Sequence, residues 1–411
     1  MKKRPDMVSE ASPEGLEVIQ LTTEFGVPSS HIYMEAQIST PDSKRLILHR
    51  SAHPHGSDPR DPEHRYLICD IENNCKLSPI TEEVGATAPS VSPDGTTLYY
   101  FVDETTVGGG KLTLKRVGMD GTGRDTVLAI DAPISGTTFR PSRPYPLSTI
   151  SSDGLRLAIS AFLGDGNTED APWGLLIFDL QKASVELIIH GQTWCNMHPQ
   201  YSRSANTEEV HDILIQENHG NICDPTGKFT KLTGGAGADI HVIRDDGTQL
   251  RDLPWGRDGN EFCQGHQCWI GRSARALTST STREPKSCEL IEGRAVPHVG
   301  HLGIETPGGR RNDLSRTFPQ PDFYHFATDI AGRRFITDVG PRDGGGAIYL
   351  AELPEDGTSP LDNITFLLNP RSSWEKGSHI HPFLLPDGGT GFFNSDESCI
   401  LQTYMVRGWE T

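Results

Sequence analysis

Residues 92–100 read SPDGTTLYY, a Pro-Asp-Gly turn that runs into a strand of β-branched and aromatic residues. Asp and Gly suit tight turns for separate reasons: the carboxylate accepts from nearby backbone N–H groups, and glycine tolerates positive φ. The stretch recurs as TPDSKRLIL at 40–48, SSDGLRLAI at 151–159, DIAGRRFIT at 329–337 and LPDGGTGFF at 385–393. Two weaker copies, SRSANTEEVHDILIQ at 202–216 and IGRSARALTS at 270–279, fill the gap. The turns fall near 42, 94, 153, 205, 272, 331 and 387. That is a spacing of roughly 50 to 65 residues, in the range of propeller blades.

Each unit has the same internal order. A short apolar strand enters the turn, a β-rich strand leaves it, and a third strand follows. The third strands are RYLICDI, KLTLKRV, GLLIFDL, DIHVIRD, AIYLAEL and LQTYMVR, with CELIEG taken as that of the fifth unit. Apolar runs this short, bounded by turn signals, are strands and not helices. Seven units of about four antiparallel strands predict an all-β, seven-bladed β-propeller. Residues 1–15 are expected to form a tail or closing strand, and residues 16–411 a single propeller domain.

The 43 glycines and 29 prolines fit a turn-rich chain. A formal net charge of -18 argues against nucleic acid and anionic membranes as partners. An acidic ligand would need a locally cationic site. The N-terminal MKKRPDMVSEASPEGLEVIQ has no apolar core, so no secretory leader is expected, and no run is apolar enough to span a bilayer. A cytoplasmic location is the expectation. The eight cysteines form no CxxC pair, which favours free thiols. Cys263 and Cys268 flank His266, but no second pair completes a zinc knuckle.

The repeat gives the histidines a register. His381 lies six residues before Asp387, His325 six before Ala331 and His266 six before Arg272; His198 precedes the first strand of the fourth unit. Four successive blades therefore aim a histidine at one mouth of the central channel. His379, two residues before His381, shares its side of an extended chain. His219 ends a second strand and should reach the same face, and His31, His53 and His55 could join from the first blade. Imidazoles converging on one point suit a divalent transition metal with open positions.

Several of these segments resemble motifs of the oligogalacturonate lyases, the seven-bladed propellers of polysaccharide lyase family 22. They are EFCQGHQCW (261–269), DFYHFATDIAGRRFITD (322–338) and SHIHPFLLPDGGTGFFNSD (378–396), with NMHPQYS and ILIQENHG ahead of them and a first-blade likeness at 21–48. The resemblance implies metal-assisted β-elimination on a uronate, with an acidic oligosaccharide as substrate. It also implies a divalent metal, manganese first, with zinc or calcium as alternatives. In the family the ion is held by the His of a Gly-His motif, both His of His-x-His and a Gln three residues before that pair. Here those positions are His266, His379, His381 and Lys376. Lysine cannot replace the Gln as ligand, so Glu375 or His325 is expected to complete the set. His219 matches the family's base, with His198 beside it in the catalytic group. Arg203 and Arg272 match its charge-neutralising arginine by position, and Arg272, Lys376 and Arg342 are expected to touch substrate. Two other readings stay open: a metal-dependent eliminase for another sugar acid or oxidised glycoside, and a non-catalytic binding propeller.

Three further features are discounted. VGGGK at 107–111 lacks the spacing of a phosphate loop and reads as a hairpin tip. DNIT at 362–365 fits a glycosylation site that a cytoplasmic chain would not use. No GxSxG occurs, which speaks against a serine hydrolase.

Overall fold

The repeated turn is built the same way in successive units. Asp94 Oδ1 accepts from Thr96 N (3.0 Å) and from Ser92 Oγ (2.5 Å). Asp153 does the same with Leu155 N (3.0 Å) and Ser151 Oγ (2.5 Å), and Asp42 with Lys44 N (3.1 Å) and Thr40 Oγ1 (2.6 Å). In the sixth unit the acid has moved: Asp329 Oδ1 caps Arg333 N (2.8 Å) and Arg334 N (2.9 Å). Gly95, Gly154, Gly332 and Gly388 follow at φ of 72, 73, 67 and 68°, the left-handed region that disfavours a Cβ.

This is a computed structural model describing residues 1–54, 58–231, 237–255, 261–282, 290–291, 294–295, 301–306, 309–318, 323–340, 346–357, 359–374 and 378–409. The turns connect seven blades of about four antiparallel strands, each ordered from the channel outward. Blade two is typical: Ala86–Val91, Thr97–Thr106, Gly109–Gly118 and Asp125–Ile130. VGGGK forms the tip of its long hairpin. In blade five the third strand is His301–Thr306, which pairs with Ala276–Thr282. The expected CELIEG does not take that place. Its Leu290–Ile291 instead pairs with Arg294–Ala295 in a separate ribbon, because a short run pairs most readily with the partner nearest to it in sequence. Among the described residues no helix is long and apolar enough to cross a membrane.

Blade seven is made from both ends of the chain. Glu17–Gln20 pairs with Gln402–Arg407, and Lys2–Lys3 adds a short strand outside it. Buried Arg4 fastens this closure. Its guanidinium pairs with Glu397 and bonds Asp6 Oδ2 at 2.7 Å, while the Tyr404 hydroxyl donates to Glu397 Oε1 at 2.7 Å.

Strand alternation sends one set of side chains from each blade into the next. Phe101, Leu112 and Leu114 of blade two meet Leu157, Ile159 and Phe178 of blade three. Leu175 and Ile177 of blade three meet Ile213, Ile215 and Ile243 of blade four. Each such side chain contributes about 1.5–3 kcal/mol when fully buried. The apolar ring of blade interfaces leaves the channel free to carry polar groups.

Candidate metal centre

The inner strands are not regular where they meet the channel. Pairing slips between Cys263 and Gln267 in blade five and between Phe323 and Phe326 in blade six. His266 and His325 sit inside these bulges, which re-aim a side chain that a regular ladder would hold on a blade face. Thr278 Oγ1 donates to the His266 carbonyl (2.9 Å) and Thr337 Oγ1 to the His325 carbonyl (3.0 Å), so both bulges are held alike. His381 and His198 reach the channel through left-handed backbone, at φ of 47 and 48°. For a non-glycine residue that is a strained conformation, and it recurs here at the functional face.

The result is a group of imidazoles at one mouth. The His325 ring lies 4.3 Å from that of His381, 5.3 Å from His379 and 4.7 Å from His266, centre to centre. Ring nitrogens of His325, His379 and His381 all lie within 4.8 Å of one another. His266 Nδ1 is buried without a hydrogen-bond partner. Asp338, fully buried, orients the central ring: its Oδ2 is 2.8 Å from His325 Nδ1 and its Oδ1 accepts from the His325 backbone N at 2.7 Å. That leaves His325 Nε2 facing the group. Burial holds His266, His325 and His381 well below the usual imidazole range, and lowers His379 as well. Neutral imidazoles keep the lone pair that a metal needs. The donor set therefore fits a divalent ion. Trp374 lies over it, 6.1 Å from His325 and 5.8 Å from His379.

Below this group stands a hydrogen-bonded chain that the sequence reading only partly named. His198 Nδ1 is 3.2 Å from Glu35 Oε2, and its Nε2 is 3.0 Å from the Tyr145 hydroxyl. That hydroxyl donates to Asn196 Oδ1 at 2.6 Å. Tyr33 links the two layers, with its ring 5.2 Å from His198 and 4.6 Å from His381. Burial raises Glu35, against the opposing pull of His198. Tyr33 and Glu35 lie in the turn that follows Ser29–His31, where no strand period marks them. Tyr145, Asp338 and Trp374 likewise had no periodic signal.

Other expected residues lie elsewhere. Arg203 and Arg272 line a chamber of about 370 Å³ at the opposite mouth, among the turn residues Pro41, Pro93 and Pro386. Arg272 is thus placed away from the histidines, whereas the Arg203 cation still acts on Glu35, the partner of His198. Arg272 lies six residues beyond His266, in the turn that follows the inner strand Glu261–Trp269. His219 does end a second strand, but it faces a cleft between blades three and four. There its Nε2 is 3.3 Å from Asp239 and 3.8 Å from Glu217, and it lines a 210 Å³ cavity with Trp173 and Cys223. The residue of that stretch beside the Gly265–His266 bulge is Gln216, an amide that cannot act as a base. His31 is buried, 6.3 Å from His381, with burial pushing it down to about 3. His53 is exposed and 3.5 Å from Asp61. His55, Arg342, Glu375 and Lys376 lie outside the described residues. Cys263 and Cys268 are buried in two different apolar clusters, so the two thiols do not come together around His266.

The fold and the site define a seven-bladed propeller with an imidazole centre at one mouth of its channel. Solved structures of this fold include an oligogalacturonate lyase in complex with manganese, 17% identical over 98% of this chain and 95% of that one, with a TM-score of 0.69. An oligogalacturonate lyase from Vibrio parahaemolyticus is 15% identical over 98% and 95%, with a TM-score of 0.68. The propeller domain of the Trilobed protease from Pyrococcus furiosus is 12% identical over 93% and 97%, at 0.53. At such identities the likeness is one of fold. No family model and no curated protein matches the sequence.

Proposed function

We propose that this chain is a divalent-metal-dependent lyase that cleaves short uronate oligosaccharides by β-elimination inside the cell. The observation that carries the reading is the convergence of His325, His379 and His381, with His266 beside them, at the open end of the channel. These four would hold the ion, with manganese proposed first. When bound, it would neutralise the substrate carboxylate and so acidify the adjacent C–H, a Lewis-acid contribution of several kcal/mol.

The chain's own groups account for the proton. The C5 proton goes to a base, its bonding electrons form the C4–C5 double bond, and the C4–O bond breaks with its electrons on the leaving oxygen. His198 is the proposed base, in place of His219. It adjoins the imidazole centre through Tyr33, and Glu35 fixes its orientation at Nδ1. Tyr145 and Asn196 continue the chain from His198 Nε2, a route along which a proton would leave that nitrogen. Tyr33 and Trp374 offer aromatic faces on which a sugar ring can lie. A channel mouth made cationic by the ion reconciles an acidic substrate with a chain of net charge -18.

The test is absorbance of the unsaturated uronate product when digalacturonate is mixed with the manganese-loaded protein. A rising ultraviolet band is expected. No band from galacturonate, glucuronate or rhamnogalacturonan oligomers, in protein shown to contain metal, would overturn the proposal.

A further inference from the structure

We propose that the cleft between blades three and four holds a second divalent transition-metal ion, bound by Glu217, Asp239 and His241 with His219 at its rim. These residues continue the blade-four face that packs on blade three: Ile213 and Ile215 lead along one strand to Glu217, and Ile243 leads along its neighbour to His241 and Asp239. Where the apolar contact ends, three ligating side chains begin. A carboxylate oxygen from each acid and a ring nitrogen of His241 all lie within 4.8 Å of one another.

The independent sign of a ligand is His241. Its side chain is buried and its Nε2 has no hydrogen-bond partner. The other ring nitrogen, Nδ1, is 2.9 Å from Asp252 Oδ1, which fixes the proton on Nδ1 and leaves a lone pair on Nε2. That lone pair points toward Glu217 Oε2 at 3.3 Å, so two acceptors confront each other. Only a cation between them, or a proton on Nε2, relieves this. A carboxylate behind the distal nitrogen is also the usual second shell of a metal-bound histidine. Glu217 is held from its other side, where Thr193 Oγ1 donates to Oε1 at 2.5 Å. His219 Nε2, 3.3 Å from Asp239 and likewise without a hydrogen bond, adds a second imidazole and opens the site to the neighbouring 210 Å³ cavity. Two imidazoles and two carboxylates suit zinc or manganese in preference to calcium or magnesium.

This site shares no residue with the channel centre and stands independently of the lyase reading. The experiment is metal stoichiometry of the full chain, stripped with chelator and reloaded with zinc or manganese, by plasma mass spectrometry and calorimetry. Two ions per chain are expected. Asp239→Asn, nearly isosteric, should lower this to one, as should His379→Ala at the other site. Because His241→Gln could disturb the blade interface, circular dichroism accompanies each variant, and Asp239→Asn decides. If wild type binds one ion that only His379→Ala removes, the inference falls. It also falls if Asp239→Asn still binds two, or if His241 proves protonated at neutral pH in protein that takes up no ion there. If the one ion bound is lost in Asp239→Asn and kept in His379→Ala, the cleft site stands and the channel reading falls.

Discussion

Replacing Asp338 by asparagine changes one atom and should weaken metal binding at the channel by about 10- to 100-fold, or about 1.4–2.8 kcal/mol. The reasoning follows from two contacts. Asp338 Oδ1 accepts from the His325 backbone N, and an amide oxygen can keep that bond. Asp338 Oδ2 sits 2.8 Å from His325 Nδ1, and there the amide NH₂ would donate. Nδ1 must then accept, so the ring proton moves to Nε2, the nitrogen that faces His379 and His381. The imidazole remains in place but loses its ligating lone pair. A proton count gives a second readout. Burial pushes Asp338 up to about 8, so without metal it carries a proton below that pH, whereas an ion on His325 favours the carboxylate with hydrogen on Nδ1. Binding should therefore release one proton below about pH 8, and affinity should rise with pH there. The imidazoles are held neutral by burial and add little proton competition. Calorimetry with manganese or zinc in buffers of different ionisation enthalpy measures both quantities. Unchanged affinity in Asp338→Asn, or no proton release by the wild type, would refute the reasoning.

Three further outcomes are expected. Glu35→Gln should lower kcat by about 10²–10⁴ at unchanged metal content, because the base His198 loses the carboxylate at Nδ1; an unaltered kcat would remove His198 from the reaction. Arg4→Ala should destabilise the blade-seven closure by about 3 kcal/mol, since it strands a largely buried Glu397. Arg4 holds Glu397 and Asp6 below the usual carboxylate range, so the stability they contribute is present above about pH 4 and lost as pH falls; thermal melts from pH 3 to 7 should show a shallower acid limb in the variant. Gly271→Ala should cost about 1–3 kcal/mol, read from the urea midpoint, because a Cβ at φ +50° would come within 2.4 Å of Gly332 N on the next blade's turn.

The fold was legible because it is written seven times. An Asp two residues ahead of a backbone N–H, with a glycine after it, is a local instruction that needs no distant partner, as Asp94 and Asp153 show. Blade five shows the limit of local reading: CELIEG has strand-like composition, but composition does not say whether a strand joins its blade or a neighbouring ribbon. That choice depends on which partner is near.

The histidine register was legible for the same reason, since equal distances from equivalent turns bring His266, His325 and His381 to one level of the channel. The same counting places Arg272 at the far mouth, because an extended strand rises about 3.3 Å per residue. The sequence alone thus determined the blades and the level at which each inner-strand residue stands along the axis. The tertiary structure alone decided what lies beside what across it. Bulges set which ring turns inward, a buried Asp338 sets the His325 tautomer, and radial offset moves His219 into a cleft with Asp239. Height along a strand is a property of one segment, whereas convergence is a property of seven, and it exists only once the ring has closed.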